Sequence, residues 1–451
     1  MENATFAVSF EIRSAKLALD SMSVYRNLLN DNVISSLRLL LDYINIGKVE
    51  LSCFTNLYNN FFFALAESGT NTLEAYVVDK IIFDENPFSL KAQSNIVNKS
   101  ANLIEKAAAN DLINLQLIAK LNPYIIKNQL LRYFDESEFK YIIEKLPEWE
   151  VEGDFPSENC PEHISEIKQT FYYSSQWGEC IEKLRKFHGN YGCGIFAMYR
   201  AFVWERENDL GYCKGIKKPD PITLSDLIGY EQERSVVLEN TEQFLKGFSA
   251  NNALLHGDRG TGKSSTVKAI LNKYYTEGLR MIEVPKAYLT DFPDIIRVLK
   301  DRPQKFIIFI DDLVFADDEG SYTALKAMLD GGLEHKSSNI IIYATSNRRH
   351  LVKEYFSERS GPNEEVRAGD SVQEKLSLAD RFGINVVFSS PNKNEYLSIV
   401  DGIADKRNLN IDRELLHSEA IKWEMWYNGR SARTARQFID WIEGKIAMNE
   451  I

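Results

Sequence analysis

The sequence has few of the residues that mark several classes of protein. Its 451 residues contain 5 cysteines, 12 prolines and 24 glycines, which excludes a disulfide-rich secreted scaffold, a collagen-like chain and a low-complexity chain. Positive charge is also in deficit, because 53 Lys and Arg residues face 65 Asp and Glu residues, for a net charge of −12. This balance argues against a surface built as a whole to neutralise nucleic-acid phosphates. A local basic site is compatible with this balance.

Long apolar runs are absent as well. The sequence has no run of about 18 apolar residues, the length from which a membrane-spanning helix is inferred. Residues 1–5 lack the basic and apolar segments of a signal peptide. Together with the odd number of cysteines, these features predict a cytoplasmic protein with no membrane partner. The Cys and His spacings match no zinc pattern, so buried structural thiols are favoured over a metal site.

Two parts of the chain differ in their apolar pattern. Up to about residue 213, apolar residues recur every three or four positions, which predicts a mostly α-helical domain (1–213) of unknown role. The clearest stretches are residues 34–44, 103–121 and 124–134. After a Pro- and Gly-rich boundary, short apolar runs alternate with helix-length segments, as in parallel sheets covered by helices. We therefore expect an α/β core over 221–390 and a small helical segment over 391–451.

A phosphate-binding loop follows the first of these short apolar runs. Residues 257–264 match the pattern G-x-x-x-x-G-K-[ST] at every fixed position. The glycines let backbone N–H groups approach a phosphate, at the positive end of the helix that follows. Lys263 then reaches the β- and γ-phosphates, and the Ser264 hydroxyl becomes a ligand of Mg²⁺. The predicted cofactor-binding residues of the loop are Gly257, Gly260, Thr261, Gly262, Lys263, Ser264 and Ser265.

Two carboxylates end the apolar run 306–310. Asp311 is placed to hold Mg²⁺ through water, and Asp312 can orient or deprotonate an attacking water. An apolar strand ending in two acids is common by itself, and it becomes informative because a phosphate loop precedes it. The apolar run 340–344 leads to Asn347, whose amide can reach the γ-phosphate or the water.

In combination, these motifs resemble those of AAA+ P-loop ATPases. The segments occur in the order Leu227-Ile228-Gly229-Tyr230-Glu231, phosphate loop, Asp311-Asp312, Asn347, Asp380-Arg381-Phe382-Gly383 and Gly429-Arg430-Ser431-Ala432-Arg433. More narrowly, about residues 200–445 are similar to a family of predicted bacterial AAA+ ATPases with no assigned biological role. The resemblance implies a P-loop AAA+ core, a parallel sheet covered by helices, a small α-helical lid and a separate helical N-terminal domain. It also implies ATP and Mg²⁺ as cofactors.

The resemblance implies roles for individual residues. Ile228 would line the adenine pocket, and Asp311 would serve the metal. Asp312 would occupy the position of the catalytic acid, and Asn347 would be the sensor at the γ-phosphate. Lys263 completes this catalytic set within the chain.

Arginines would complete the site. Arg381 lies where several AAA+ branches place an arginine finger, which acts in the neighbouring subunit and therefore implies self-association. Its alternative role is a salt bridge, for instance with Asp380. Arg433, in the small helical segment, fits the second sensor, with Arg430 and Arg436 as alternatives.

The leading functional prediction is Mg²⁺-dependent ATP hydrolysis to ADP and phosphate, coupled to an unknown protein partner of the helical domain. Asp312 stands where Glu is usual and sets the carboxylate back by one methylene. Because errors of about 1 Å can cost about a hundredfold in rate, a slow or non-hydrolysing ATP-dependent switch or scaffold is the first alternative. The second is a helicase-loader-like, DNA-associated ATPase, which rests on fold analogy and the basic residues 348–350. The acidic composition disfavours this nucleic-acid role.

Overall fold

The computed structural model describes most of the chain. The described residues are 8–47, 49–93, 99–134, 137–150, 161–313, 319–330, 337–347, 381–427 and 429–448. The chain divides into two compact units, Met1–Met198 and Tyr199–Ile451. Within the described residues, no helix is long and apolar enough to cross a membrane.

The first unit is helical. Its α-helices are α1 (Phe10–Asp20), α2 (Asn32–Asn45), α3 (Leu51–Glu67), α4 (Leu73–Phe83), α5 (Pro87–Gln93), α6 (Lys99–Ala119), α7 (Pro123–Leu131), α8 (Ser137–Glu144), α9 (Glu162–Tyr172), α10 (Ile181–Tyr191) and α11 (Gly194–Met198). Two short 3-10 helices cover Arg26–Asn30 and Trp177–Cys180. The stretch 34–44 lies in α2, as predicted, and most of the stretches 103–121 and 124–134 lies in α6 and α7.

Polar contacts in this unit fix chain turns. The carboxylate of Asp111, which is 1% exposed, accepts hydrogen bonds from the backbone N–H groups of residues 23–25. Buried backbone donors need such partners. The described thiols Cys180 and Cys193 are buried here, and Cys53 is exposed. Cys160 lies outside the described residues.

The second unit contains a seven-stranded sheet. The strands are β1 (Ala201–Glu207), β2 (Leu210–Gly215), β3 (Ala253–Gly257), β4 (Leu279–Glu283), β5 (Lys305–Ile310), β6 (Ile340–Ser346) and β7 (Ile384–Phe388). Their spatial order is β2-β1-β4-β5-β6-β3-β7. Every neighbouring pair is parallel except β1 with β2. The strands β3, β5 and β6 are almost wholly buried, which explains their continuous apolar runs.

Helices accompany this sheet. They are α12 (Glu231–Leu245), α13 (Lys263–Tyr274), α14 (Phe292–Leu299), α15 (Glu319–Asp330), α16 (Lys393–Lys406), α17 (Arg413–Trp426) and α18 (Ala432–Ala447). Short 3-10 helices cover Leu224–Asp226, Tyr275–Glu277 and Lys286–Asp291. The sheet and helices confirm the predicted fold class, an α/β P-loop core with a small helical segment and a helical N-terminal region.

The first strand pair differs from the sequence prediction, which placed residues up to 213 in the helical domain. The structure instead pairs β1 with β4 in the sheet and folds β2 back on β1. In β1 only four apolar residues, 201–204, precede three charged ones, so its apolar run is too short to stand out.

The helices α16, α17 and α18 share their own core. Tyr396 of α16, Leu416 of α17 and Phe438 of α18 are all fully buried in it. Asn392 and Ser431 accept backbone hydrogen bonds as N-caps of α16 and α18. This cluster, α16–α18, is called the lid below.

Candidate functional site

The phosphate-binding loop joins the carboxyl end of β3 to α13. Gly260 has φ +77° and Gly262 has φ +94°. Residues other than glycine rarely adopt these backbone conformations. Around Gly262, an added Cβ would meet nothing within 4 Å. At Gly260 it would stand 2.8 Å from Ser431 Oγ and 3.1 Å from Arg433 Cβ. The loop therefore has open space at Gly262 and is packed against the lid at Gly260.

Lys263 lies over this loop and is only 6% exposed. Its Nζ donates hydrogen bonds to the backbone oxygens of Gly257 at 3.1 Å and Asp258 at 2.6 Å. Burial lowers the pKa of the Lys263 ammonium below the ordinary lysine value, whereas the nearby carboxylates of Asp258 and Asp311 act to raise it. The side chain is thus a buried cation positioned at the loop.

Asp311, at the end of β5, accepts several hydrogen bonds on one oxygen. Its Oδ1 lies 2.6 Å from Ser264 Oγ and 2.5 Å from Thr345 Oγ1. The backbone N–H of Asp312 also donates to Oδ1 at 3.1 Å. Carboxylate and hydroxyl oxygens are the ligands that Mg²⁺ takes in proteins. The pairing of Ser264 with Asp311 therefore fits the predicted metal site.

Asp312 is held by contacts from three residues. Its φ of +51° is unusual for a residue other than glycine. The backbone N–H donates to Thr345 Oγ1 at 2.9 Å. Asn347 Nδ2 donates to Oδ1 at 2.7 Å, and Lys286 Nζ lies 3.6 Å from Oδ2. The structure thus brings the predicted acid and the predicted sensor amide into direct contact.

A cavity of about 400 Å³ lies between the loop and the lid. Its lining includes Ile228, Gly260, Thr261, Gly262, Ser265 and Arg433. One wall is apolar, because Ile228 of the core and Ile399 of α16 both face it. A ring of a nucleobase needs such an apolar wall, whereas phosphates need the loop. The cavity is therefore suited to a nucleotide.

The three candidate sensor arginines have different surroundings. Arg430 precedes α18, and its Nε donates to Glu424 at 2.7 Å. Arg436 Nη2 lies 3.5 Å from the backbone oxygen of Asp226. The backbone N–H of Arg433 donates to Gly260 O at 3.0 Å. Within the described residues, no ion pair engages the Arg433 guanidinium.

Arg381 lies away from its own phosphate loop. It precedes β7, whose Ile384 pairs with Ala253, the first residue of β3. The loop begins at the other end of β3, so the two are separated by the length of a strand. The structure does not bring Arg381 into the site of its own chain. Asp380 and residues 348–350 lie outside the described residues.

Thr345 and Lys286 are site residues that the sequence prediction did not assign. Thr345 stands two positions before Asn347 on β6, and alternation along a strand places them on the same face. This two-residue spacing could have indicated from the sequence that Thr345 also belongs to the site. Lys286 begins a 3-10 helix after β4. Its approach to Asp312 depends on the tertiary fold, and no local pattern indicates it.

The sheet order, the phosphate loop after β3 and the paired acids after β5 define a P-loop nucleotide-binding fold of the AAA+ class. A family model matches residues 197–446, more than half of the chain. The chain belongs to that family, which is described as "Protein of unknown function (DUF815)". No curated protein matches the sequence.

Solved structures of RuvB from Thermotoga maritima are similar to part of the chain. The Holliday junction branch migration motor has 15% identity and a TM-score of 0.30, over 49% of this chain and 72% of that chain. Two mutants of the same RuvB have 14% identity and TM-scores of 0.31 over the same shares. These values are low, and the fold assignment rests on the chain's own sheet order and loop.

Proposed function

We propose that this chain binds ATP with Mg²⁺ and hydrolyses it to ADP and phosphate. The observation that carries the proposal is the meeting of three groups at one edge of the sheet. They are the buried Lys263, the Ser264–Asp311 pair and the Asp312–Asn347 pair. A loop cation, metal-binding oxygens and a second carboxylate are the parts that phosphoryl transfer to water requires.

Each of these residues has a distinct task in the proposed reaction. Lys263 binds β- and γ-phosphate oxygens in place of the two backbone oxygens that it now contacts. Ser264 and Asp311 hold Mg²⁺, which when bound neutralises charge on the phosphates. Asp312 accepts a proton from the attacking water, and Asn347 orients the water and the carboxylate.

The lid and the apolar wall of the cavity complete the proposed site. Gly257, Gly260, Thr261, Gly262 and Ser265 cradle the phosphates with backbone N–H groups. The side chain of Ile228 packs against the adenine. Of the three sensor candidates, we assign Arg433, because it lines the cavity and its backbone contacts Gly260 of the loop. Arg436 also lines the cavity, but its Nη2 lies by the backbone oxygen of Asp226, and Arg430 is paired with Glu424.

Steady-state turnover of ATP by the full chain tests the proposal. In Lys263→Ala and Asp311→Ala we expect turnover to fall by about 10²- to 10³-fold, the effect of losing one preorganised electrostatic group. Asp294→Ala is the control, since Asp294 is an exposed acid on α14 paired only with Arg297 among the described residues. Turnover that is unchanged in both site variants would refute hydrolysis at this site.

A slow ATP-dependent switch is the second candidate. It is favoured by the contacts of Asp312, whose two carboxylate oxygens are engaged by Asn347 and Lys286. An aspartate held in this way is less able to reach the attacking water than the longer glutamate that is usual at this position. Single-turnover kinetics separates the candidates, because a wild-type rate of several per second excludes the switch.

Two partners belong to the proposal. The first is a second copy of the chain, which receives Arg381 in its nucleotide site. We expect ATP analogue to raise the molecular mass in solution, and Arg381→Ala to abolish that increase. The second is a protein held by the helical first unit, which the Asp312→Asn variant should retain longest in a pull-down with ATP.

A further inference from the structure

The hydroxyl of Thr345 lies between the two acids of the site. Thr345 is 2% exposed on β6. In the parallel pairing of β5 with β6, Ile310 lies opposite Ala344. The next residues, Asp311 just after β5 and Thr345 within β6, therefore lie side by side. Their contact follows from strand register and does not require a flexible loop.

The directions of the hydrogen bonds at this hydroxyl are determined by chemistry. A hydroxyl has one proton to donate and lone pairs that accept. The backbone N–H of Asp312 can only donate, so Thr345 Oγ1 accepts this bond at 2.9 Å. The hydroxyl proton is then available for Asp311 Oδ1 at 2.5 Å. One side-chain atom thus contacts both the carboxylate of Asp311 and the backbone of Asp312.

The backbone of Thr345 contacts the same segment of the chain. Its carbonyl oxygen accepts a hydrogen bond from Leu313 N at 2.6 Å. Thr345 therefore contacts three consecutive residues, 311–313. The middle one, Asp312, has a left-handed φ of +51°, a conformation that persists only where surrounding contacts hold it. The direction in which Asp312 points thus depends on Thr345.

We propose that Thr345 is a positioning residue that holds the metal-binding carboxylate of Asp311 and the catalytic carboxylate of Asp312 in one arrangement. The proposal rests on the proposed ATPase function. Thr345 acts through these acids and has no contact of its own with the reacting atoms. Its loss should therefore lower kcat and weaken the dependence of nucleotide binding on Mg²⁺, with little change in metal-free binding.

The variants Thr345→Val and Thr345→Ser separate the hydroxyl from the shape of the side chain. Valine keeps the shape without the hydroxyl, and serine keeps the hydroxyl. We expect the valine variant to lower kcat by about 10- to 100-fold, the range for misplacing a catalytic group by about 1 Å, with KM within about twofold. The serine variant should stay within about threefold of wild type in both constants.

A second measurement does not depend on turnover. Binding of a fluorescent non-hydrolysable ATP analogue is titrated with and without Mg²⁺. The valine variant should lose most of the increase in affinity that Mg²⁺ gives, and the serine variant should keep it. Thr241→Val is the control, because Thr241 is fully buried and its hydroxyl contacts Tyr343 on the same strand. This control should lower the melting temperature and leave the effect of Mg²⁺ unchanged.

The outcomes separate this inference from the proposed function. Wild-type protein without ATP binding or turnover overturns both. Active wild-type protein with a Thr345→Val variant equal to it in kcat and Mg²⁺ dependence overturns the inference alone. If the valine variant does not fold, Thr345→Ala is compared with Thr345→Ser, since both lack the methyl group and differ only in the hydroxyl. Equal values for this pair also overturn the inference.

Discussion

The two ends of the candidate site are built in different ways. At the phosphate end, Lys263 is buried and Asp311 Oδ1 accepts three hydrogen bonds. At the lid end, Arg433 and Arg436 are exposed, and the loop is tied to α18 through the backbone bond from Arg433 N to Gly260 O. Hydrogen-bonded side-chain networks rigidify a site, whereas exposed charges contribute little to stability. From this comparison we expect the proposed hydrolysis to depend on the sheet edge, and the lid to change its position more readily.

The largest expected effect comes from removing the cation of the phosphate end. Lys263→Ala should weaken binding of Mg²⁺-ATP by about 10²-fold or more, since the loss of a charged contact at a preorganised site costs this much. Lys268→Ala is the matched control, because Lys268 lies on the same helix and pairs on the surface with Asp220. Isothermal titration of both variants measures the difference. Equal affinities for the two variants would contradict phosphate binding by Lys263.

The next effect distinguishes the two glycines of the loop. Gly260→Ala and Gly262→Ala both strain a left-handed backbone, so both should bind ATP more weakly. In Gly260→Ala the added Cβ also pushes against Ser431 and Arg433. Hydrogen exchange at the start of α18 should therefore accelerate in Gly260→Ala and stay unchanged in Gly262→Ala. The same exchange in both variants would mean that Gly260 is not a contact for the lid.

A smaller effect is expected for the arginines of the lid. Arg433→Ala should lower kcat/KM for ATP by about tenfold, as for a lost charge contact of about 1.4 kcal/mol, with an unchanged melting temperature. Arg430→Ala should leave kcat/KM unchanged and lower the melting temperature. Its partner Glu424 is only 8% exposed and would be left without its ion pair. Kinetics and thermal unfolding of both variants decide the assignment. The opposite pattern would make Arg430 the sensor.

The smallest effect concerns pH and the contact between core and lid. Side-chain hydrogen bonds from Lys406 and Thr223 lower the pKa of Asp226 from 3.8 to about 2. Since the pKa is lower in the folded state, the stabilisation is complete above about pH 4 and disappears as pH falls towards 2. Asp226→Asn should therefore melt at a lower temperature than wild type at pH 6. The difference should shrink below pH 4, and a constant difference from pH 6 to 2 would contradict the ion pair.

The phosphate end could be predicted from the sequence because its residues form contiguous motifs. The loop 257–264 and the acids Asp311 and Asp312 follow buried strands, and parallel strands bring their carboxyl ends to one edge. The lid end could not be resolved in the same way. Three arginines lie within seven positions, and which of them faces the cavity depends on where α18 begins, which is at Ala432.

Other features needed the tertiary fold. The strands β1 and β2 were missed because β1 has only four apolar residues before three charged ones, and β2 has a single buried residue, Cys213. Lys286 reaches Asp312 only because the chain turns after β4. The role of Thr345 follows from the register of β5 with β6. Register is a property of paired strands, and one strand's sequence does not contain it.

The most direct test of the account is release of phosphate from ATP by the full chain, with ATP binding measured in parallel for wild type and Asp312→Asn. Wild type should release phosphate only when Mg²⁺ is present. Asp312→Asn should bind ATP within about threefold of wild type and release phosphate about 10²- to 10³-fold more slowly, because the acid that accepts the proton is gone. Equal release by the two proteins, or wild type that binds no ATP, would contradict the account.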